Sequence, residues 1–340
     1  MVNYLNRISK SLNDLLKNSK KKEIYDFLNL DHIMDLTKAK KINLEDKPIF
    51  DRYFQNYPPQ NSEFTFTNLF MWRNFYEWLY LEWNDHLIVF SKEFLNKIKT
   101  PVSEKKNAIY FFTPIGPKPA DIIMKIFEDT DRAEFHRIPE AVYELLKKHE
   151  KFSKFNISNL EDRNNWDYIY EVQNLINLPG NAYRQNRRWL QKFFDNYKYD
   201  FKILTKDLID MCKKLQLEWC IMRECEGDEG LEQEQKAIYE ALDNFIALGF
   251  KGAMICIDDK CAAYTFGEML NPETVVIHIE KAHMQYEGGY QAINNLFLKS
   301  CWDNVKFVNR EQDLGVAGLR RAKESYKPTR MVKKSIIFRV

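Results

Sequence analysis

No run of apolar residues in this chain approaches the roughly 18 needed to cross a bilayer. The opening residues, MVNYLNRISKSLNDLLKNSKKKE, lack the continuous apolar core of a secretory signal. Both absences point to a cytoplasmic protein without a transmembrane segment. Excess charge is missing as well. The net charge of +2 gives no strong bulk attraction to nucleic acid or anionic membrane, so any such attraction must come from local patches. The six cysteines (212, 220, 225, 256, 261 and 301) all lie in the second half and none forms a CxxC pair. A zinc finger or thioredoxin-like motif is therefore unsupported, and no metal site is expected. Cys256 and Cys261 flank a turn and could meet across it, but in a reducing compartment they read as packing residues.

What is present describes a globular protein. A length of 340 residues accommodates two domains, and 45% hydrophobic, 29% charged and 14% aromatic residues are globular values. Ile8, Leu12, Leu15 and Leu16 share one face of an amphipathic N-terminal helix, followed by the basic run Lys17 to Lys22. That helix is expected to dock on the body rather than to lie on a membrane. After Pro48 comes an aromatic-rich stretch in which Trp72, Tyr76 and Leu79 have the helical spacing of core residues.

One order of elements occurs twice. NAIYFF (107–112) predicts a strand, TPIGPKP a loop, ADIIMKIFED a helix, EFHRI a strand and PEAVYELLKKHEKF a helix. TVVIHI (274–279), EKAHMQYEGG, YQAINNLFLKSC, VKFVN and GVAGLRRAKESY repeat that order. An internal duplication follows, with its boundary near 155–170 and domains over 1–160 and 161–340. Before the second unit, Ile238, Leu242, Phe245 and Ile246 share a helix face that Gly249 ends. KGAMICI and CAAYTFGEML then form a hairpin about Asp258-Asp259-Lys260. The fold class is α/β, or α+β, with mixed sheets flanked by helices.

The two strand-to-helix loops differ. Pro114, Pro117 and Pro119 remove backbone donors from the first. The second, Gln285 to Tyr290, has no proline, and its Gly288-Gly289 pair permits close backbone approach to a ligand or simply a tight turn. In TVVIHIEKAH, alternation places Val275, Ile277 and Ile279 on one face and Val276, His278 and Glu280 on the other. Glu280 is then either a general base at a strand's carboxyl end or half of an ion pair with Lys281 or an arginine. His278 alone is more often a hydrogen-bonded core histidine than a catalyst. Arg184, Arg188 and Gln191/Lys192 follow one helix face, with Arg187 and Trp189 beside it, a patch suited to phosphate or nucleic acid but read first as a solvated face.

Three segments, DYIYEVQNLINLPG (167–180), HIEKAHMQYEGGYQAIN (278–294) and NREQDLGVAGLRRAKESYKP (309–328), carry a resemblance, and SEFTFTNLFMWRNFYEWL (62–79) adds to it. The chain resembles the family of bacterial and archaeal proteins related to the C-terminal domain of phosphatidylglycerol lysyltransferase. The resemblance implies two tandem GCN5-related N-acetyltransferase-like domains, the first degenerate and the second carrying the site. It also implies acyl or aminoacyl transfer from acyl-CoA or aminoacyl-tRNA to an amine or hydroxyl on a small molecule or peptide. No permanently bound cofactor is implied, and tRNA enters as a donor partner. In acetyltransferases of this kind a Gln/Arg-x-x-Gly-x-Gly/Ala loop binds coenzyme A. Gln285, Gly288 and Gly289 fall on that loop, but Tyr290 replaces its last small residue, which speaks against ordinary acetyl-CoA binding. The resemblance does not extend to the lysyltransferase's membrane-spanning half, so a lipid acceptor is not carried over.

Roles follow from that resemblance and from position. Glu280 or Glu311 is the expected base, with His278 beside them and backbone N–H groups of 278–281 holding the oxyanion. Tyr326 is the expected acid. Asn309, Arg310, Asp313, Arg320 and Lys323 are expected to bind an anionic part of donor or acceptor, and Asp313 also to cap the last helix. The rival reading is a non-catalytic binding module, a degenerate acyltransferase fold that recognises a nucleotide-like or anionic ligand. A third, RNA binding through 184–192, is weakened by the low net charge.

Overall fold

The computed structural model describes residues 34–97 and 107–340, so the expected N-terminal helix and its basic run lie outside the described residues. Among the described residues the strands are, in chain order, β1 (Lys40–Lys41), β2 (Leu79–Trp83), β3 (His86–Ser91), β4 (Ile109–Phe111), β5 (Ala133–Pro139), β6 (Ile157–Glu161) and β7 (Asp167–Glu171). They continue with β8 (Asp200–Ile203), β9 (Lys251–Ile257), β10 (Lys260–Asn271), β11 (Thr274–Ala282), β12 (Phe307–Asn309), β13 (Arg330–Val332) and β14 (Lys334–Arg339). They form two seven-stranded sheets, β1-β2-β3-β4-β5-β14-β6 and β13-β7-β12-β11-β10-β9-β8. Each sheet is antiparallel except for one parallel step, β4 with β5 in the first and β11 with β12 in the second. The mixed α/β architecture expected from the sequence is thus present in both sheets. No helix among the described residues is long and apolar enough to cross a membrane.

The duplication is visible in register as well as in order. The parallel pair of the first sheet ends at Phe111 opposite Phe135, and that of the second at Val276 opposite Asn309. Two residues beyond each end, Arg137 and Glu311 take left-handed backbone conformations, with φ of 59° and 56°. A non-glycine residue seldom adopts that conformation; Arg137 adopts it inside β5, beside a shift in its register with β14, and Glu311 in the loop after β12. After each turn the paired strands part and leave a V-shaped opening.

The chain passes from the first sheet to the second between β6 and β7, so that β7 to β13 form the second sheet. After β13 it returns, and β14 inserts between β5 and β6 of the first. The first sheet is thus completed by a strand that follows all the strands of the second.

Burial follows this layering. The helix Pro119–Asp129 starts with proline at its first turn and turns Ile122, Ile123, Ile126 and Phe127 onto the outer face of the first sheet. The helix Gly289–Cys301 covers the outer face of the second with Ala292, Ile293, Phe297 and Leu298. Between the sheets one apolar cluster draws from both halves, joining Phe66, Leu69 and Trp78 to Ile238, Leu242, Tyr264 and Phe266. The helix expected to run on to Gly249 instead breaks at Asn244, into Glu229–Asp243 and Phe245–Leu248. Ile246, expected on its core face, is 68% exposed as a result. Cys220 and Cys225 are joined in a disulfide, a pairing that spacing alone did not suggest, and Cys256 and Cys261 stay free and buried opposite one another.

At the start of the returning strand β14, Lys334 is fully buried. Its ammonium donates to Glu63 at 2.7 and 2.8 Å and to Asp167 at 2.6 Å. Removing the cation while leaving both carboxylates buried costs several kcal/mol. Lys334→Met should therefore lose about 3–5 kcal/mol in urea denaturation. Lys333→Ala, at an exposed pair with Glu140, should stay within about 0.5 kcal/mol. A loss below about 1 kcal/mol at Lys334 would show that the crossing is held by something else.

Candidate active site

The second V opens where β11 and β12 part, and of the expected residues Glu280, Arg310, Lys323 and Tyr326 converge beside it. They do not share one face. The register between β10 and β11 runs Phe266 to Ile279 and then Gly267 to Ile277, so His278 is bulged out of the ladder. Gly267 permits this, because a Cβ there would lie 2.2 Å from the Val276 carbonyl oxygen. A bulge resets the period-two alternation of a strand. Ile279 consequently joins the core between the sheets, while Ile277 faces the outer helix. The expectation that His278 and Glu280 lie together is overturned by that one extra residue.

His278 points toward the first half of the chain. Its Nδ1 lies 3.0 Å from Glu311 and its Nε2 3.0 Å from Glu268, with Thr65 at 3.4 Å. Burial alone would lower its pKa, but the two carboxylates override burial and lift it to about 9. Glu311 also accepts from Asn68 at 3.2 Å. A carboxylate held this way by an imidazolium and an amide is a structural anchor, not a free base.

Glu280 lies on the other side of the bulge. It accepts from Arg310 at 2.7 Å and from Asn294 at 2.9 Å. Of the two readings the sequence left open, the structure has the ion pair, with Arg310 as partner and not Lys281, which pairs with Glu234. Arg310 is nearly enclosed. Its guanidinium sits 4.9 Å from the Tyr326 ring centroid and 5.9 Å from that of Tyr170. One terminal nitrogen is fixed by Glu280, and the other, Nη1, is buried with no acceptor.

Two further groups converge there. Lys323 donates to the Arg310 carbonyl, and burial followed by the Arg310 charge lowers its pKa to about 8. Burial pushes the Tyr326 phenol up to about 12, so it remains a proton donor across the physiological range. Asn309 holds the turn from inside, bonding Asp167 at 3.0 Å and the Glu311 N–H at 2.8 Å. Asp313 is fully buried under Tyr168 (2.6 Å), Arg320 (2.9 Å) and Arg163 (3.1 Å). Those donors hold its carboxyl well below the usual carboxylate range against the opposing effect of burial. It accepts from the Gly315 N–H at 2.8 Å, whereas the last helix starts from Val316, so Asp313 stabilises the turn before that helix and does not cap it directly. Asp313 and Arg320 hold the scaffold together and do not reach into the V.

The expected phosphate loop is closed. A Cβ on Gly288 would lie 2.3 Å from the Trp189 carbonyl oxygen, so the helix Arg184–Asn196 rests directly on the loop. The N–H groups of Gln285, Glu287 and Gly289 already bond His283, the Tyr197 hydroxyl and the Tyr286 carbonyl. Glycine at 288 serves helix packing, and Gln285, Gly288 and Gly289 form no open cradle. The basic face of that helix is also partly committed, Arg187 to the carbonyls of Leu178 and Gly180 and Lys192 to Glu287. Sequence reasoning missed Glu268, Tyr170, Asn294, Glu63 and Lys334. Glu63, Tyr170 and Asn294 stood inside stretches already singled out for their resemblance, but nothing marked them as buried.

With that geometry described, the comparisons follow. A family model described as phosphatidylglycerol lysyltransferase, C-terminal, matches residues 54–338. A conserved protein of unknown function from Bacteroides thetaiotaomicron has a solved structure with a TM-score of 0.79 at 28% identity, covering 89% of this chain and 99% of that one. The L-PGS structure from Bacillus licheniformis covers 86% of this chain and 92% of its own, at 12% identity and a TM-score of 0.58, a likeness of fold alone. An uncharacterised protein of Mycoplasmoides gallisepticum is 26% identical over 188 residues, 54% of this chain, and the match spans only 59% of that relative's length.

The His278 bridge carries a pH signature. Its pKa is raised on folding, so its stabilising contribution is full below the unfolded value of 6.5 and is lost as pH climbs through about 9. The stability gap between the native chain and His278→Asn in denaturant titrations should therefore be widest below pH 6.5 and shrink steadily toward pH 9 and above. A gap that widens with rising pH would show that the imidazole is buried neutral.

Proposed function

The chain belongs to the family of the phosphatidylglycerol lysyltransferase C-terminal region, and from that premise we propose that it transfers an acyl, most simply an aminoacyl, group at the second V. The observation that carries this reading is Arg310: a buried guanidinium fixed at one end by Glu280, walled by two tyrosines, and left with one N–H unsatisfied. A buried donor without a partner is costly. It becomes useful when a reacting oxygen arrives to meet it, because a preorganised donor in a dry site stabilises developing negative charge.

In the proposed step an acceptor amine or hydroxyl attacks the activated acyl carbon and forms the new C–N or C–O bond. Negative charge gathers on the carbonyl oxygen facing Arg310 Nη1. Lys323, with a pKa near 8, takes the nucleophile's proton. Collapse breaks the bond to the leaving oxygen or sulfur, and the Tyr326 phenol, kept protonated by burial, returns a proton to it. Glu280 and Glu311 position these groups. An aminoacyl-tRNA ester is favoured over coenzyme A as donor because the loop that would cradle a pyrophosphate lies under Trp189. A small-molecule or peptide amine or hydroxyl is the proposed acceptor class.

The second reading, a binding module without chemistry, is favoured by one observation: both carboxylates assigned as bases are already hydrogen-bonded. A mass-spectrometric screen with charged tRNA, acetyl-CoA and longer acyl-CoAs separates the two. Transfer is expected with charged tRNA. Arg310→Ala should lower kcat/KM by about 10²–10³, and the rise of rate with pH through about 8 should vanish in Lys323→Met. Binding of charged tRNA without turnover would leave the binding module as the answer.

A further inference from the structure

The second sheet ends in an open edge. β8 (Asp200–Ile203) stands last in its order of strands and pairs only with β9, and no described residue bonds the backbone on its other side. An unpaired edge is a template for a further strand. Its phase is fixed from within, because Leu204, just past the strand, donates its N–H to Gly252 of β9 at 2.8 Å. Backbone groups of successive residues point to alternate sides of an antiparallel strand. Asp200 and Lys202 therefore turn theirs toward β9, and Phe201 and Ile203 turn theirs outward.

The side chains alternate between the two faces of the sheet. Phe201 and Ile203 lie opposite Ile255 and Ala253, on the face under the outer helix, where Tyr199 also packs. Ile203 nonetheless keeps 49% of its surface exposed. Asp200 and Lys202 lie opposite Cys256 and Met254, on the inner face. Both are exposed, and neither has an ion pair among the described residues. A lysine on an edge strand ordinarily turns incoming strands away. Here an aspartate two residues before it changes which strand is turned away.

We infer that β8 pairs antiparallel with β8 of a second copy of this chain, about a two-fold axis beside Phe201, so that the second sheets of two copies join. Outward-facing backbone groups can bond only outward-facing ones, so the register must set odd-numbered residues against odd-numbered ones. Centred on Phe201, it brings Asp200 opposite the partner's Lys202, Lys202 opposite the partner's Asp200, and Ile203 opposite the partner's Tyr199. The two Phe201 residues exchange both backbone hydrogen bonds, and the charged pairs fall at the closer positions, with Cα atoms about 4.5 Å apart. Moving the centre to Asp200 or to Lys202 sets that charge against itself. The other sheet edges have no such self-match: the charges are Lys40 and Lys41 alone in β1, Arg330 alone in β13 and Glu161 alone in β6. This assignment stands apart from the acyl-transfer reading and uses none of the groups at Arg310.

Sedimentation equilibrium of the full chain, from low to several hundred micromolar, tests it. A contact this short makes a weak dimer, so the expected result is a concentration-dependent rise from the monomer mass of 40.8 kDa toward twice that value. Lys202→Glu and Asp200→Lys each turn two attractions into two repulsions and should weaken association at least about tenfold. The double variant Asp200→Lys/Lys202→Glu restores the match and should return association to within about threefold of the native chain. Ile203→Pro removes an outward N–H that β9 does not use. It should abolish association while the thermal midpoint of the dilute chain holds. A chain that stays monomeric throughout overturns the assignment. So does a dimer that survives both Lys202→Glu and Ile203→Pro, or a double variant as weak as the single ones.

Discussion

The contact between Lys334 and Asp167 holds this architecture together. These residues stand at the starts of β14 and β7, where the chain returns to the first sheet and where it first enters the second, and they meet with no solvent access. A buried ion pair repays its desolvation only when every remaining hydrogen-bonding position is filled. Here they are filled from both directions. Asp167 also accepts from the Ser62 N–H at 2.8 Å, from its hydroxyl at 2.9 Å and from Asn309 at 3.0 Å. Glu63, the second carboxylate on Lys334, reaches on to Arg137 and accepts from Gln312. One network therefore touches the turn of the first V at Arg137 and the turn of the second at Asn309, and the segment 61–68 threads between them. Neither V can change shape without disturbing the crossing.

That coupling explains why one local design could be kept twice and used differently. The left-handed residues Arg137 and Glu311 hold matching places, yet their side chains do opposite things. Arg137 reaches inward to two carboxylates and leaves an open cleft beside it. Glu311 reaches back to His278, and its neighbour Arg310 fills the opening instead. A positive φ at a non-glycine residue has a cost. Both halves carry that cost, Arg137 within β5 beside its register shift with β14 and Glu311 in the loop after β12.

Much of the second half was legible from period and punctuation. The Asp258-Asp259 hairpin, the TVVIHI strand and the helices after it follow from alternation, helical spacing and turn residues, and both aspartates do take positive φ. Element order also exposed the duplication. Two kinds of information were not legible. The return of β14 to the first sheet leaves no local mark, because it reads as an ordinary strand whichever sheet it joins. The bulge at His278 depends on a glycine in the neighbouring strand, so no inspection of TVVIHIEKAH alone could place His278 and Glu280 on different sides. The partners of the site residues were hidden for the same reason: Glu268 and Asn294 lie on other elements, and their contact is a product of packing.

The bulge also settles which groups at the second V are free to act. Had His278 and Glu280 shared a face, a histidine and a carboxylate would have formed one acid–base pair. Separated, each carboxylate is drawn to its own cation: Glu268 and Glu311 to the imidazolium, Glu280 to Arg310. Every acid is thereby engaged by a near cation and is not a free group facing the opening. The groups left with chemical latitude are the ones burial has shifted against their charge or kept neutral, Lys323 near pKa 8 and Tyr326 near 12. One residue's displacement in a strand thus moves the acid–base work from the acidic residues that the sequence makes conspicuous to a lysine and a tyrosine on the last helix and at its end.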